Sequence, residues 1–131
     1  MEKYKEIFFI VLFSLILTSF LQHGALTDYY TINDDVRVES FIYFQNLDSE
    51  LYPGDTQVEW AKQRNPIGYD LIFRFGTLII GDPLILGKII TFILAILIGI
   101  YSFKLGNLYG RKEGFALSLI FFIQIWIFPS I

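Results

Sequence analysis

Long apolar stretches alternate with polar ones along this chain. Residues 7–26 are apolar and uncharged, and residues 84–106 are apolar with Lys88 and Lys104 near their ends. A helix of about twenty residues spans the roughly 30 Å hydrocarbon core of a bilayer. The pattern therefore predicts two membrane-spanning helices, over residues 7–26 and 84–106, and residues 115–131 predict a third.

The first apolar stretch has an alternative interpretation as a cleaved signal peptide. Lys3 and Lys5 precede it, as basic residues precede the apolar part of a signal peptide. Residues 19–27 contain no convincing small-x-small cleavage pattern, which favours a retained membrane anchor.

The chain between the first two apolar stretches changes character. Residues 27–68 are rich in acidic residues and turn formers, which predicts a hydrophilic loop. Within it, Asn33 or Asp34 can cap a helix that runs over residues 35–48, because a short polar side chain accepts from the unpaired N–H groups of a first turn. Residues 69–80 are mostly apolar but too few to cross hydrocarbon, so we expect a short interfacial or re-entrant helix there.

Two polar breaks separate the remaining helices. Gly81, Asp82 and Pro83 interrupt the apolar pattern, with Asp82 placed to cap the next helix and Pro83 at its first position. Residues 107–114 form a second polar turn, on the same predicted side of the membrane as Lys3 and Lys5. Short basic loops favour the cytoplasm, so we expect a cytoplasmic N-terminus and an extracytoplasmic loop at residues 27–68.

Composition supports a membrane protein and excludes several site classes. The chain is 54% hydrophobic with a mean hydropathy of +0.54, more than one soluble core of 131 residues accommodates. Its ten Lys and Arg residues are scattered and the net charge is -3, so we expect no nucleic-acid partner. With no Cys and one His, there is no thiolate or multi-histidine metal site. The expected class is an all-α, multi-span integral membrane protein of the plasma or inner membrane.

The adjacent acids Asp34 and Asp35 are the first candidates for chemistry. Neighbouring side chains diverge, so the two cannot flank one bond, but either carboxylate can act as a general base. The alternative is that both are cap and first-turn residues favoured by the helix dipole. Asp35 and Glu39 share a helix face and form an incomplete shell for a divalent cation, so no metal or other cofactor is assigned.

Two arginines are candidates for contact with a lipid phosphate. Arg37 lies three residues after Asp34 and either pairs with it or faces an anionic headgroup. Arg74 is a charge among apolar residues, so it either extends to the membrane surface or meets a phosphate.

The order of these features resembles a known group of membrane enzymes. An acidic pair in NDD (33–35) is followed by NPIGYDLI (65–72) and GDPLILGKI (81–89), each placed relative to the predicted spans. This arrangement is similar to the N-terminal part of the lipid-linked sugar transferases of the GT-C superfold, which include protein O-mannosyltransferases and lipid A aminoarabinose transferases. The resemblance covers essentially the whole chain, although each motif alone is degenerate.

The resemblance implies transfer of a sugar from a polyprenyl or dolichyl phosphate carrier to an acceptor outside the cytoplasm. By position, Asp34 matches the catalytic base and Asp35 the second acid of the pair, where many members carry Glu. Arg37 and Arg74 would neutralise the phosphate that leaves. The implied partners are membrane lipid and the lipid-linked sugar donor.

The size of such enzymes predicts that this chain is an N-terminal fragment and is inactive alone. The alternative function is that of a small, non-enzymatic multi-pass membrane protein, such as a transport or assembly subunit, in which the acidic pair only starts a helix.

Overall fold

A computed structural model of the protein describes residues 2–31 and 40–127, with side chains over residues 4–31 and 40–120. All regular secondary structure in these ranges is helical, which confirms the expected all-α class for the described chain. The helices in chain order are α1 (Glu2–Leu21), α2 (His23–Thr27), a 3₁₀ helix (Phe41–Asn46), α3 (Thr56–Arg64), α4 (Ile67–Ile80), α5 (Pro83–Gly106) and α6 (Arg111–Ile127).

The chain divides into two compact units. Residues 1–27 and 90–131 form one, called here the terminal unit, and residues 28–89 form the other, called the loop unit. The terminal unit contains α1, α2, most of α5 and α6. The loop unit contains the 3₁₀ helix, α3, α4 and the first turns of α5.

Two helices are long and apolar enough to cross a membrane. They are Tyr4–Leu21 within α1, with a mean hydropathy of 1.8, and Pro83–Gly106, with a mean hydropathy of 2.5. This statement rests on the length and composition of the helices. A signal sequence near an N-terminus meets the same two criteria. Both segments overlap the two spans expected from the sequence.

The first helix begins earlier than the expected span of residues 7–26 and is interrupted before its end. It starts at Glu2, because Glu, Lys and Tyr residues at positions 2–6 extend a helix without being apolar. It ends at Leu21, and after Gln22 the short α2 continues to Thr27. Gly24 lies inside this short helix, where glycine lowers the helix propensity.

The last helix also differs from the expected boundaries. It begins at Arg111, so the polar turn is shorter than the expected residues 107–114. The Gly114 N–H donates to the Gly110 carbonyl at 3.0 Å, which includes Arg111, Lys112 and Glu113 in the first turn of α6. Its last described residue is Ile127, so the end of the expected span 115–131 lies outside the described residues.

Two helices of the loop unit were not predicted in this form. The expected helix over residues 35–48 is described only from Ser40, and Phe41–Asn46 is a 3₁₀ helix with Ile42 and Tyr43 buried. A 3₁₀ helix is common for such short pieces. Helix α3 was expected to be loop. It is capped by Asp55, whose Oδ1 accepts from the Gln57 N–H at 2.7 Å.

The break between α4 and α5 has the expected chemistry. Gly81 ends α4 in the left-handed region, with a φ of 80°, and its N–H donates to the Thr77 carbonyl at 2.7 Å. Asp82 Oδ1 then accepts from the N–H groups of Leu84 at 2.7 Å and Ile85 at 3.0 Å. The prediction that Asp82 caps the helix beginning at Pro83 is confirmed.

Small residues bring α5 and α6 close together in the terminal unit. A Cβ added at Gly106 would lie 2.6 Å from the Glu113 carbonyl oxygen, and one at Gly114 would lie 2.9 Å from the Phe103 carbonyl oxygen. The Ser118 hydroxyl is 3.3 Å from the carbonyl oxygen of Gly99. Glycine and serine allow such a backbone approach, as they do between many helices in membranes.

Candidate functional site

Three of the four predicted site residues lie outside the described residues. These are Asp34, Asp35 and Arg37, together with Glu39, the partner considered for a divalent cation. Arg74 is described and lies on α4, in the loop unit. The geometry around Arg74 is therefore the part of the expected site that the structure describes.

An aromatic cluster forms the core beneath Arg74. Tyr43 of the 3₁₀ helix and Phe73 of α4 are 2% and 3% exposed. The Phe73 ring stacks on Tyr69, with centroids 4.4 Å apart, and on Tyr43, with centroids 5.2 Å apart. Such ring contacts stabilise a core beyond the effect of buried area alone. They hold α4 against the 3₁₀ helix.

The hydroxyl of Tyr43 connects three elements of the loop unit. It donates to Asp70 Oδ1 at 3.3 Å and accepts from Asn65 Nδ2 at 3.1 Å. Burial raises the pKa of Tyr43 to about 12, with the Asp70 carboxylate adding to this and the Asn65 hydrogen bond acting against it. The phenol therefore stays protonated and acts as a fixed hydrogen-bond donor at neutral pH.

Arg74 pairs with Asp70 one helical turn earlier. Its Nη2 lies 3.1 Å from Asp70 Oδ2 and 3.4 Å from Asp70 Oδ1. The Arg74 side chain is 56% exposed, whereas that of Asp70 is 24% exposed. The sequence suggested that the Arg74 side chain either extends to the membrane surface or contacts a phosphate. The structure shows a third interaction, the ion pair with Asp70 within α4, which is compatible with either. The guanidinium keeps donors that Asp70 does not use.

A groove of about 370 Å³ opens beside this ion pair. We call it the Arg74 groove. It is lined by Ile42, Tyr43, Gln45, Asn46, Ser49, Lys62, Asp70 and Arg74. Its two cations and one carboxylate leave one net positive charge, and Gln45, Asn46 and Ser49 supply neutral hydrogen-bonding groups. The volume falls within the range of small-molecule sites.

Two features of the lining bear on what the groove can bind. Lys62 is paired with Glu59, which lies outside the groove, at 3.0 Å in an exposed ion pair. Asn46 Nδ2 is buried and has no hydrogen-bond partner within the described ranges. A buried amide nitrogen is costly unless it is hydrogen-bonded, so a polar ligand would remove this cost. An anionic ligand with additional acceptors suits this lining best.

A second polar cluster holds the residues that precede the undescribed segment. Lys88 Nζ donates to the carbonyl oxygens of Asp28 and Tyr29, each at 2.9 Å. The Tyr29 hydroxyl donates to Asp82 Oδ2. These bonds attach residues 28 and 29 to the first turns of α5, within the loop unit.

Hydrogen bonding also shifts the acid–base behaviour of this cluster. The bond to Asp82 raises the pKa of Tyr29 to about 12, with burial as the next cause. The Thr31 hydroxyl at 2.8 Å and the Tyr30 N–H at 3.1 Å lower the pKa of Asp28 below its usual value. At neutral pH the cluster therefore contains ionised Asp28 and a neutral Tyr29 phenol.

Sequence reasoning missed most of the residues that line or support the groove. Tyr43 comes from the 3₁₀ helix, whereas Lys62 and Asn65 belong to α3 and its C-cap, and no spacing along the chain indicates that Tyr43 meets them. One signal was present: Asp55 directly precedes TQVEWAKQR, a run that suits a helix and ends before Pro66. It would have placed Lys62 on a helix, though not in a groove.

The structure assigns no metal centre to the part of the chain it describes. Within residues 4–31 and 40–120, no three His, Asp or Glu side chains lie close enough together to hold an ion. Asp35 and Glu39 fall outside these ranges.

Comparisons of the chain with protein-family models, with curated proteins and with solved structures give no match. The function is therefore argued from the groove and from the sequence.

Proposed function

We propose that the chain is a multi-pass membrane protein whose loop unit binds the phosphate and sugar of a polyprenyl-linked donor. In this proposal α1, α5 and α6 cross the membrane, and residues 27–68 lie on the extracytoplasmic side. The short loops with Lys3, Lys5, Arg111 and Lys112 support this orientation. The protein would serve as part of a glycosyltransferase.

The Arg74 groove is the single observation that carries this proposal. A donor phosphate is an anion, and Arg binds phosphate through short, charge-assisted hydrogen bonds. Arg74 and Lys62 supply the positive charge, while Gln45, Asn46 and Ser49 supply groups that suit sugar hydroxyls. Most of the groove-lining residues and Asp34 lie in the same stretch of chain between the first two expected spans.

The proposed reaction assigns each charged group a role. Asp34 accepts the proton of the acceptor's nucleophilic group as that group attacks the anomeric carbon. The bond from the anomeric carbon to the phosphate oxygen breaks, and the lipid phosphate leaves as an anion. Arg74, with Arg37, stabilises that charge. Asp35 takes the place of the second acid of the pair, as the resemblance implies.

The first experiment measures binding and transfer separately on the purified full chain in lipid nanodiscs. A polyprenyl phosphate sugar with a labelled sugar is the probe. We expect Arg74→Ala to weaken binding by about tenfold to a hundredfold, since a hydrogen bond to a charged group contributes about 1.5–3 kcal/mol. Arg64→Ala is the matched control, because Arg64 lies over the Trp60 ring and outside the groove.

The base is tested with the same probe. Asp34→Asn should retain donor binding and lose sugar transfer in a preparation in which the unsubstituted protein transfers sugar. Equal binding by the Arg74→Ala and unsubstituted proteins would remove the proposed phosphate site. Undiminished transfer by Asp34→Asn would remove the proposed base.

One observation favours a second, non-enzymatic function. Arg74 pairs with Asp70 and Lys62 pairs with Glu59, so both groove cations have partners within the chain. In a transport or assembly subunit these pairs would be structural. Arg74→Ala would then lower the unfolding temperature without changing donor binding, and the binding experiment separates the two functions.

A further inference from the structure

One face of α4 consists of exposed apolar side chains. Their exposed fractions run from 47% for Leu71 to 83% for Ile79. The face comprises Ile67, Leu71, Ile72, Phe75, Leu78 and Ile79. These positions recur at spacings of three and four residues, which places them on one side of a helix. A continuous exposed apolar face of this kind marks a surface that binds something apolar.

The other side of α4 is already used for packing within the loop unit. Phe73 is buried against Tyr43, and Thr77 is fully buried. Gly76 lies against α5, since an added Cβ there would be 2.6 Å from a methyl group of Leu86. These contacts fix the rotation of the helix. The apolar face therefore points away from the core of the loop unit.

The charged residues of α4 lie where its apolar and packed sides meet. Asp70 and Arg74 are one turn apart and form an ion pair with each other. After Arg74 the helix has no further charged residue up to Ile80. A helix with an apolar side and a charged edge is typical of helices that lie in a membrane interface.

Chain continuity indicates what covers the apolar face. Only Gly81 and Asp82 separate α4 from α5, the most apolar of the helices long enough to cross a membrane. Helix α4 itself has 14 residues, or about 21 Å, which is shorter than the roughly 30 Å hydrocarbon core. A helix of this length, attached directly to a span, lies at the membrane boundary.

We propose that the exposed face of α4 binds lipid, with the helix lying in the plane of the membrane between headgroups and acyl chains. Lipid is favoured over a second copy of the chain because the connection to α5 places the face at the bilayer. The inference rests on the membrane embedding contained in the proposed function, but it is independent of sugar transfer. The proposal also chooses the interfacial helix over the re-entrant helix, the two alternatives that the sequence left open for residues 69–80.

The chain has no cysteine, so single cysteines can carry an environment-sensitive fluorophore. The test uses the full chain in phosphatidylcholine vesicles with bromine placed either near the headgroup or near the bilayer centre. Leu71→Cys, Phe75→Cys and Ile79→Cys report on the α4 face. Gln57→Cys is an exposed control on α3, and Leu94→Cys is a half-exposed control in the middle of α5. Circular dichroism checks that each labelled protein keeps its helices.

We expect the three α4 probes to be quenched equally, and more strongly by bromine near the headgroup than by bromine near the centre. Their emission should shift to the blue relative to the Gln57 probe. The Leu94 probe should show the opposite depth preference. Positions 71 and 79 are separated by about 12 Å along the axis, so a re-entrant helix would give a clear depth gradient.

Each other outcome identifies what has failed. A depth gradient from Leu71 to Ile79 overturns the in-plane arrangement. Absence of quenching on α4, with quenching at Leu94, overturns the lipid surface, and crosslinking between Ile79→Cys copies would then indicate a second chain. Absence of quenching at Leu94 as well overturns the membrane embedding on which the proposed function depends.

Discussion

The two units of this protein hold their helices together by different means. In the terminal unit, Gly106, Gly114 and Ser118 let the backbones of α5 and α6 approach closely, with one ring pair, Phe103 and Phe115, beside them. In the loop unit, the rings of Tyr43, Tyr69 and Phe73 pack between the 3₁₀ helix and α4, and the Tyr43 hydroxyl is hydrogen-bonded.

We propose that the terminal unit lies in a membrane, and this apolar environment would account for the difference. Long apolar helices gain nothing from burying more apolar surface when their surroundings are apolar, so close packing of small residues holds them. Short helices with polar sides need a core of large side chains that removes apolar area from water. Replacing a large buried side chain by a small one should therefore destabilise the loop unit most. Replacing a small residue by a larger one should destabilise the terminal unit.

The largest effect is expected in the loop unit from Phe73→Ala. Phe73 is buried and contacts two tyrosine rings, so its removal should lower the free energy of unfolding by about 3–5 kcal/mol. Urea unfolding in detergent, followed by near-ultraviolet circular dichroism, measures it. Phe75→Ala is the control, since Phe75 is 59% exposed and should have little effect. Equal losses from the two variants would contradict the assigned core.

A smaller effect is expected in the terminal unit from Gly106→Ala. The added methyl group would meet the Glu113 carbonyl oxygen, and overpacking of this kind costs about 1–3 kcal/mol. Thermal unfolding of the helices in detergent measures the change. Gly68→Ala is the control, because no atom lies within 4 Å of a Cβ there, and alanine favours the helix by about 0.5–1 kcal/mol. A stabilised Gly106→Ala protein would exclude the close approach of α5 and α6.

A third effect concerns Asp82, which caps α5 and accepts a hydrogen bond from the Tyr29 hydroxyl. Asp82→Ala should cost about 0.5–2 kcal/mol, the usual range for loss of an N-cap. Asp82→Asn retains the cap but replaces the carboxylate that accepts the Tyr29 hydrogen bond, the main cause of the raised pKa of Tyr29. In that variant the pKa of Tyr29 should fall from about 12 toward its usual value of 10, while that of Tyr43 stays near 12 because burial is its main cause.

The sign of the pH dependence follows from these two tyrosines. Both have pKa values above that of the unfolded chain, so their contribution to stability is complete below pH 10 and is lost as pH rises toward 12. Ultraviolet titration of tyrosinate should show Tyr29 and Tyr43 ionising late, near pH 12. Tyr29→Phe and Tyr43→Phe should each remove one late group, and an unchanged titration curve would reject the assignment.

The smallest effect is expected at the exposed pair of Lys62 and Glu59. Lys62→Ala should change stability by less than about 1 kcal/mol, because exposed ion pairs contribute little. The free energy of unfolding at low and at high salt measures this change. Glu59→Ala removes the other member of the ion pair and serves as the control. If Lys62 binds a donor phosphate, the same variant should still weaken donor binding. A large loss of stability would mean that Lys62 acts mainly as a structural residue.

The apolar pattern of the sequence predicted the position of most long helices but not their ends. Apolar residues locate a helix core, whereas residues such as Glu2 and Arg111 continue a helix because of their conformational preference. The break at Gly81 and the cap at Asp82 were predicted because their chemistry is local. The 3₁₀ geometry of Phe41–Asn46, in which Ile42 and Tyr43 are buried, was not predicted.

The sequence by itself determined the helical class, two helices suited to a membrane and the acidic character of residues 27–68, because hydropathy and capping act over a few neighbouring residues. Only the tertiary structure decided that Lys62 and Arg74 share a groove, that Tyr43 supports it, and which face of α4 stays exposed. Those facts depend on contacts between residues far apart in the chain, which no local pattern encodes.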